Sequence, residues 1–324
     1  MYAQIVVPRF STKEVHRVTA LSAQTVVHQW YGNNVEMIIS IASGKGGTGK
    51  TLVATSLALS LAKNIPVQFL DCDVEEPDAH ILLKPSFSHR QTVSIPVPKL
   101  DEEKCSYCGK CAEVCAYNAI AVANQVVLIF PELCHGCGTC SYFCPEEALT
   151  EEEREVGILE TGQSNGIEFI HGRLTIGEAM PTPVIREVKK HINQNVIVIV
   201  DVAPGTSCPV VESVKDSNFC LLVTEPTPFG LNDLILAVDM LRKLEIPCAV
   251  VINRDGTGDN KLEEYCLSQD IPILLRIPLD IEIARLYSQG INLVEGRPQW
   301  KEAFVSLYRD IEQKLSTQIK IGSQ

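Results

Sequence analysis

Apolar residues recur along this chain as short uninterrupted runs rather than in strict alternation with polar ones. Met37–Ala42, Pro66–Leu70, Val196–Val200, Phe219–Val223, Cys248–Ile252 and Pro272–Ile277 are each mainly aliphatic and bounded by turn residues or proline. Runs of this length read as strands buried on both faces. Between the later runs lie helix-length segments, Leu231–Leu244, Lys261–Gln269 and Ile281–Ser288, and after the first run Leu52, Leu57, Leu59 and Leu61 recur at helical spacing. Strands alternating with helices predict an α/β fold, a doubly wound and mainly parallel sheet covered on both sides.

From Lys99 to Glu155 the alternation stops, and Pro85, Pro96 and Pro98 precede the break. The chain therefore divides into an N-terminal extension (1–36), a first part of the α/β domain (37–98), a small insert (99–155) and the rest of the α/β domain (156–324). The last segment, Gln299–Leu315, places Phe304, Leu307, Tyr308, Ile311 and Leu315 on one helical face. Its mixed charges favour docking on the core over a membrane-targeting role.

Charge narrows the partners. Twenty-eight Lys and Arg stand against 40 Asp and Glu, a net charge of -12, which is the wrong sign for a protein that neutralises phosphate backbones. Nucleic acid is not an expected partner. No apolar run approaches the roughly 18 residues of a spanning helix, so stable membrane insertion is not expected either. Residues 1–36 lack the apolar core and cleavage site of a secretory signal, and the expected location is the reducing cytoplasm. The insert holds four basic and eleven acidic residues and so carries more than half of the net charge.

The stretch between the first run and its helix reads Gly44, Lys45, Gly46, Gly47, Thr48, Gly49, Lys50, Thr51. It fits a phosphate-binding loop in the strand–loop–helix setting that loop requires. Glycines let backbone N–H groups converge on phosphate oxygens, the helix N-terminus favours negative charge, Lys50 can reach the β and γ phosphates, and Thr51 can hold Mg²⁺. Further carboxylates end two other runs: Asp71 and Asp73 after the second, and Asp201 after Val196–Val200. In an open α/β sheet those strand ends lie beside the ligand.

Lys45, directly after the first glycine, resembles the deviant loop of the MinD/ParA-type ATPases, a group that includes iron–sulfur carrier ATPases. The resemblance implies a dimer formed on ATP, with Lys45 reaching the partner's phosphates. It implies that Asp71 supports the metal, that Asp73 positions or activates the attacking water, and that Asp201 contacts Mg²⁺ through water. Asn253 resembles the family's adenine-contacting asparagine. The carboxylate that guanine selection needs three residues later is replaced by Gly256, so ATP is expected. Pro278 and Asp280 resemble the loop around the base, although capping of the next helix also accounts for Asp280.

Eight of the thirteen cysteines fall in the insert, as Cys105, Cys108, Cys111, Cys115 and again as Cys134, Cys137, Cys140, Cys144. The doubled spacing is that of bacterial ferredoxins and predicts two [4Fe–4S] clusters, with zinc as the alternative for thiolate sites. In ferredoxins of this kind the fourth cysteine of each run serves the other cluster. That implies one set of Cys105, Cys108, Cys111 and Cys144, and another of Cys134, Cys137, Cys140 and Cys115. Ala116 departs from the pattern, where proline usually follows the fourth cysteine. The remaining cysteines, Cys72, Cys208, Cys220, Cys248 and Cys266, read as structural thiols.

Together these features resemble a MinD-superfamily P-loop ATPase with an inserted ferredoxin-like domain. The leading expectation is an ATPase whose nucleotide state gates electron transfer through two [4Fe–4S] clusters between donor and acceptor proteins. Two alternatives stand beside it: a carrier or assembly ATPase acting on small metallocluster-binding proteins, and a MinD-like spatial or regulatory switch with structural clusters.

Overall fold

The computed structural model describes residues 37–322 apart from position 257, with side chains as far as residue 316; the proposed extension 1–36 lies outside the described residues. In chain order the first elements are β1 (Met37–Ala42), α1 (Lys50–Leu61), β2 (Val67–Cys72), α2 (Ala79–Leu83) and β3 (Ser86–Leu100). The cysteine-rich stretch follows, with α3 (Lys110–Glu113), β4 (Ile120–Ala123), β5 (Val126–Ile129) and α4 (Thr139–Tyr142). The chain then returns through β6 (Leu149–Ser164), β7 (Ile167–Leu174), α5 (Thr182–Lys189), β8 (Ile197–Val202), α6 (Cys208–Val214) and β9 (Phe219–Thr224). It closes with α7 (Pro228–Lys243), β10 (Cys248–Asp255), α8 (Lys261–Ser268), β11 (Ile273–Pro278), α9 (Ile281–Ser288), α10 (Leu293–Gly296) and α11 (Trp300–Gly322).

Nine strands form one sheet in the order β11-β10-β9-β1-β8-β2-β7-β6-β3. From β11 to β7 all neighbours are parallel, and β6 and β3 add antiparallel strands at one edge. Alternate residues of the parallel strands feed two cores, as strands buried on both faces must. On one side Leu70, Val200, Leu222 and Val250 pack under α5–α8. On the other Phe69, Ile199, Leu221 and Val251 pack under α1, α9, α10 and α11. Phe304, Leu307, Tyr308 and Ile311 of α11 are buried in that second core, which makes α11 a core-docked helix. Among the described residues no helix is long and apolar enough to cross a membrane.

The apolar runs mark the parallel strands to within one to three residues. Missing from the sequence reading are β3, β6 and α5, and β7. The prolines that suggested a break, Pro96 and Pro98, lie within β3, which is the edge strand of the sheet. An edge strand tolerates proline because its outer N–H groups have no ladder partner to lose. Strands β3 and β6 therefore run straight through the expected boundaries at 98/99 and 155/156. Beyond Leu174, where β7 ends, they continue as a two-stranded ribbon from Val93↔Gly157 out to Leu100↔Leu149. Because β7 is parallel to β2, this ribbon leaves from the C-terminal edge of the sheet, the edge that carries Asp71 and Asp201.

Where β7 meets that edge, His171 is the register partner of Asp71 and pairs through Nε2 with Glu160 of β6 at 2.9 Å. Its ring stacks on Phe87 and meets His80 edge-on, while Nδ1 is buried without a hydrogen-bond partner. Burial pulls the imidazole below its ordinary value, with the Glu160 carboxylate opposing. The unfolded chain therefore takes up a proton as pH falls through about 6.5 while the folded chain resists, so stability is lost on that side. Buried carboxyls raised in the folded chain, Asp73 among them, act the other way over the same range, so we expect the contribution of His171 as a difference: between pH 7 and pH 5 the melting temperature of His171→Gln should shift more favourably than that of the unsubstituted chain, and equal slopes by calorimetry would remove His171 as a cause.

Candidate nucleotide site and cysteine-rich insert

Strand β1 ends at Ala42, and residues 43–49 loop over its end into α1. Gly47 and Gly49 have φ of +76° and +92°, a region that glycine enters without strain. Gly44 is required by space instead: a Cβ there would lie 2.4 Å from the Asp233 carbonyl oxygen of α7. The sheet order sets β8 next to β1 and β2 next to β8, so Asp201 and Asp71 come up beside the loop as register partners of each other. Lys50 Nζ lies 3.2 Å from Asp73 Oδ2 and 3.1 Å from Asp201 Oδ1. Burial opposes the ammonium charge, but Asp201, Asp73 and Asp71 outweigh it and hold the group well above its ordinary value.

The carboxylates are not equivalent. Asp201 Oδ2 and Thr48 Oγ1 are buried with no hydrogen-bond partner. An unpaired buried carboxylate oxygen next to a phosphate loop fits a hydrated cation, so Thr51 and Asp201 are the side chains that would hold Mg²⁺. Asp73 is pushed up to about 6 by burial, with Lys50 opposing. Asp71 is wholly buried and both of its oxygens are committed, Oδ1 to the Asp73 N–H at 3.1 Å and Oδ2 to the Ala79 N–H at 3.3 Å. It braces the loop carrying Asp73.

Other expected residues also take positions that the motif alone does not reveal. Asn253 Nδ2 donates to the Thr48 carbonyl at 2.8 Å, and its Oδ1 accepts from the Arg254 N–H at 2.9 Å, so this carboxamide clamps the phosphate loop. Pro278 ends β11 at the surface, and Asp280 caps α9 by accepting from the Glu282 N–H at 2.8 Å. Lys45 forms an ion pair with Glu225 of its own chain. Glu225 also takes Arg254 at 2.6 Å, and Arg254 donates to the Gly47 carbonyl at 3.0 Å. Burial raises the Glu225 carboxyl, but Lys45 and Arg254 bring it below its ordinary value. Glu225 and Arg254 were missed in the sequence reading, although Glu225 directly follows the β9 run, the same signal that exposed Asp71 and Asp201.

The CobQ/CobB/MinD/ParA nucleotide-binding domain matches residues 39–294, which spans every element of this site. The chain belongs to that family. Among its relatives is an uncharacterized protein of Methanocaldococcus jannaschii, 30% identical over 281 residues, covering 86% of this chain and 97% of the other. An iron–sulfur cluster carrier protein of Pyrococcus horikoshii is 24% identical, covering 86% of each chain. The septum site-determining protein MinD of the same organism, solved with Mg-ADP, has a TM-score of 0.55 at 20% identity over 85% of this chain and 95% of its own, and shares the fold.

The cysteine-rich segment at the end of the ribbon has a duplicated backbone. The second cysteine run follows the first after twenty-nine residues, and the hydrogen bonds repeat at that offset. Asp101 N donates to Ala148 O at 2.8 Å, and Phe130 N donates to Ala119 O at 2.8 Å. Positive φ recurs at Tyr107 and Gly136, at Gly109 and Gly138, and at Asn118 and Glu147. Backbone N–H groups point at sulfur in both copies: Ala119 to Cys115 and Ala148 to Cys144, each at 3.3 Å. Tyr107 to Cys105 at 3.4 Å and Gly136 to Cys134 at 3.5 Å complete the pattern.

The eight thiols line two cavities. Cys105, Cys108, Cys111 and Cys144 surround one, and Cys115, Cys134, Cys137 and Cys140 surround the other, so each run lends its fourth cysteine to its neighbour. Among the described residues no three His, Cys, Asp or Glu side chains converge as they would on a single metal ion. Burial pushes the Cys111 and Cys140 thiols up, while hydrogen bonds from Thr139 pull Cys137 down. Cys72, Cys220 and Cys266 are buried, as structural thiols should be, and Cys248 is half-buried; Cys208 departs from that expectation, because it opens α6 at the surface and is exposed.

Two variants separate binding from hydrolysis. Lys50→Ala removes the cation paired with Asp73 and Asp201, and calorimetry should find Mg-ATP binding weakened at least about a hundredfold. Asp73→Asn should bind Mg-ATP with near-unchanged affinity and hydrolyse it at least about a hundredfold more slowly, within the range of a lost acid–base contribution. Full turnover in Asp73→Asn would assign the water to another group.

Proposed function

We propose that this chain is an ATP-hydrolysing iron–sulfur protein whose nucleotide state governs the handling of clusters held in the insert, in the manner of a carrier or assembly ATPase. The observation that carries the reading is the pair of four-thiol cavities with exchanged fourth cysteines. The donor set fits the group: four sulfurs around a cavity, four of the eight accepting backbone N–H bonds, suit a polynuclear cluster. A lone zinc ion needs its ligands about 2.3 Å from one point. When bound, such clusters supply reversible one-electron chemistry. Relatives named as iron–sulfur cluster carriers support cluster handling as the task.

The nucleotide would act through residues already paired. Lys50, Thr51 and Asp201 would bind Mg-ATP, Asp73 would direct water, and Lys45 would leave Glu225 for phosphate across an ATP-bound dimer. A second reading, gated electron transfer between donor and acceptor proteins, is favoured by one feature. Both cavities have a full complement of four cysteines, which suits clusters that stay in place.

Anaerobically isolated protein should contain about eight iron and eight sulfide per chain, falling by about half in Cys111→Ser and unchanged in Cys220→Ser. Stoichiometric zinc without broad visible absorption would defeat this reading. With clusters labelled in iron, ATP-stimulated delivery to an apo-acceptor identifies a carrier. Retained iron with a nucleotide-dependent midpoint potential identifies the electron gate.

A further inference from the structure

The duplication inside the insert provides a comparison between two copies of one ribbon in one molecule. In the second copy, β4 and β5 pair Ala121 with Leu128 and Ala123 with Val126. Directly opposed residues of an antiparallel pair share a face. The inward face carries Val122 and Val127, which wall the cavity of Cys105, Cys108, Cys111 and Cys144. The outward face is apolar as well: Val126 and Leu128 are each 51% exposed, and Phe130, next on that side, is 40% exposed.

Twenty-nine residues away Val126 corresponds to the buried Val97, while Ala121, Ala123, Leu128 and Phe130 correspond to Thr150, Glu152, Lys99 and Asp101. All four are polar, and Lys99 pairs with Glu152 at 3.0 Å. At those four positions the same backbone carries polar residues in one copy and apolar ones in the other. Covering the cavity requires only the inward face. A two-stranded sheet with both edges open and an apolar outer face is an association surface unless something covers it.

Charge indicates what covers it. Glu132 follows Phe130, Glu146 borders the cavity beneath the hairpin, and both are exposed. The basic residues of the insert are already engaged: Lys99 with Glu152, Lys104 with Asp101, Lys110 with Glu113 and Arg154 with Glu178. The insert therefore presents an apolar centre in an acidic surround. A second copy of this chain would set acid against acid, and an anionic membrane would be repelled.

We propose that the outer face of the β4–β5 hairpin docks a partner protein bearing an apolar patch rimmed by Lys and Arg. Such a partner would sit one layer of side chains, Val122 and Val127, from the first cavity. The second cavity lies against Pro96 and Pro98 of the ribbon, nearer the sheet. This proposal rests on the reading that the insert serves a protein partner, and it assigns the place of contact.

The test begins with a photo-crosslinking amino acid at Leu128 of the full chain in its native cells, with the crosslinked protein identified, purified and titrated against the iron-loaded chain. The expected result is a basic-rimmed protein whose dissociation constant rises at least about tenfold in Leu128→Glu, and also when salt is raised from about 50 to about 500 mM. Leu128→Lys, which copies Lys99 of the first ribbon, should weaken binding in the same direction. ATP turnover and iron content should hold in both variants. Crosslinks to a second copy of this chain, to its own residues 1–36 or to lipid would overturn the proposal, as would affinity indifferent to salt or to both variants. A chain without iron that still binds the partner in this way would leave the surface standing and remove the cluster-handling reading.

Discussion

One buried ammonium among three buried carboxylates is the constraint on which this structure turns. Asp71, Asp73 and Asp201 converge on the C-terminal edge of the sheet, and Lys50 is the cation within hydrogen-bonding distance of two of them. A pair buried so deeply is costly to desolvate and stable only when its geometry and further hydrogen bonds are good. Adjacency of β1, β8 and β2 supplies that geometry, and the two backbone bonds to Asp71 supply the rest. Phosphate arriving at Lys50 competes with Asp73 and Asp201 for the same ammonium. Nucleotide binding is thereby tied to the position of the loop that begins at Asp73.

A second ion-pair system controls the outer side of the site. Glu225 lies at the end of β9 and takes Lys45 and Arg254 together, while Arg254 and Asn253 reach back to carbonyls of the phosphate loop. A phosphate across an interface would compete with Glu225 for the Lys45 ammonium, and the proposed dimer contact draws Lys45 away from that pair. The free energy of the Glu225 pair is therefore subtracted from any dimer contact that Lys45 makes, which lowers apparent dimer affinity in the way an unpopulated competent state does.

Local motifs were legible in the sequence and distant approaches were not. Lys50, Thr51 and Asp201 declare themselves because loop, helix start and strand end are each contiguous in sequence, and Met37–Ala42 has the same bounds as β1. Asn253 meets Thr48 from 205 residues away and Glu225 meets Lys45 from 180, so their partners follow from sheet order, which no periodicity encodes. The ribbon was hidden for another reason. Beyond β7 the buried Val93, Ile95 and Val97 of β3 alternate with Ser94, Pro96 and Pro98, so they form no continuous apolar run, and the two prolines look like breaks until β3 is known to be an edge.

The route from the nucleotide loop to the insert is short and made of backbone. Leu174 donates to the carbonyl of Val74, one residue after Asp73, at 2.8 Å, and Thr175 donates to the carbonyl of Val156 at 3.0 Å, where the ribbon leaves the sheet. Arg154 on the ribbon pairs with Glu178 a few residues further along the same connection. Gly172, just before, has no room for a Cβ between Val184 and Val74, so the packing under this path is tight. A displacement of Val74 must either break the bond to Leu174 or carry Thr175 and Val156 with it. Breaking costs about 1 kcal/mol per bond, whereas coupling between sites typically amounts to about 1–3 kcal/mol. Two such bonds in series, reinforced by one ion pair, are therefore strong enough to transmit a coupling of ordinary size to the base of the ribbon, and a much larger one would break them first.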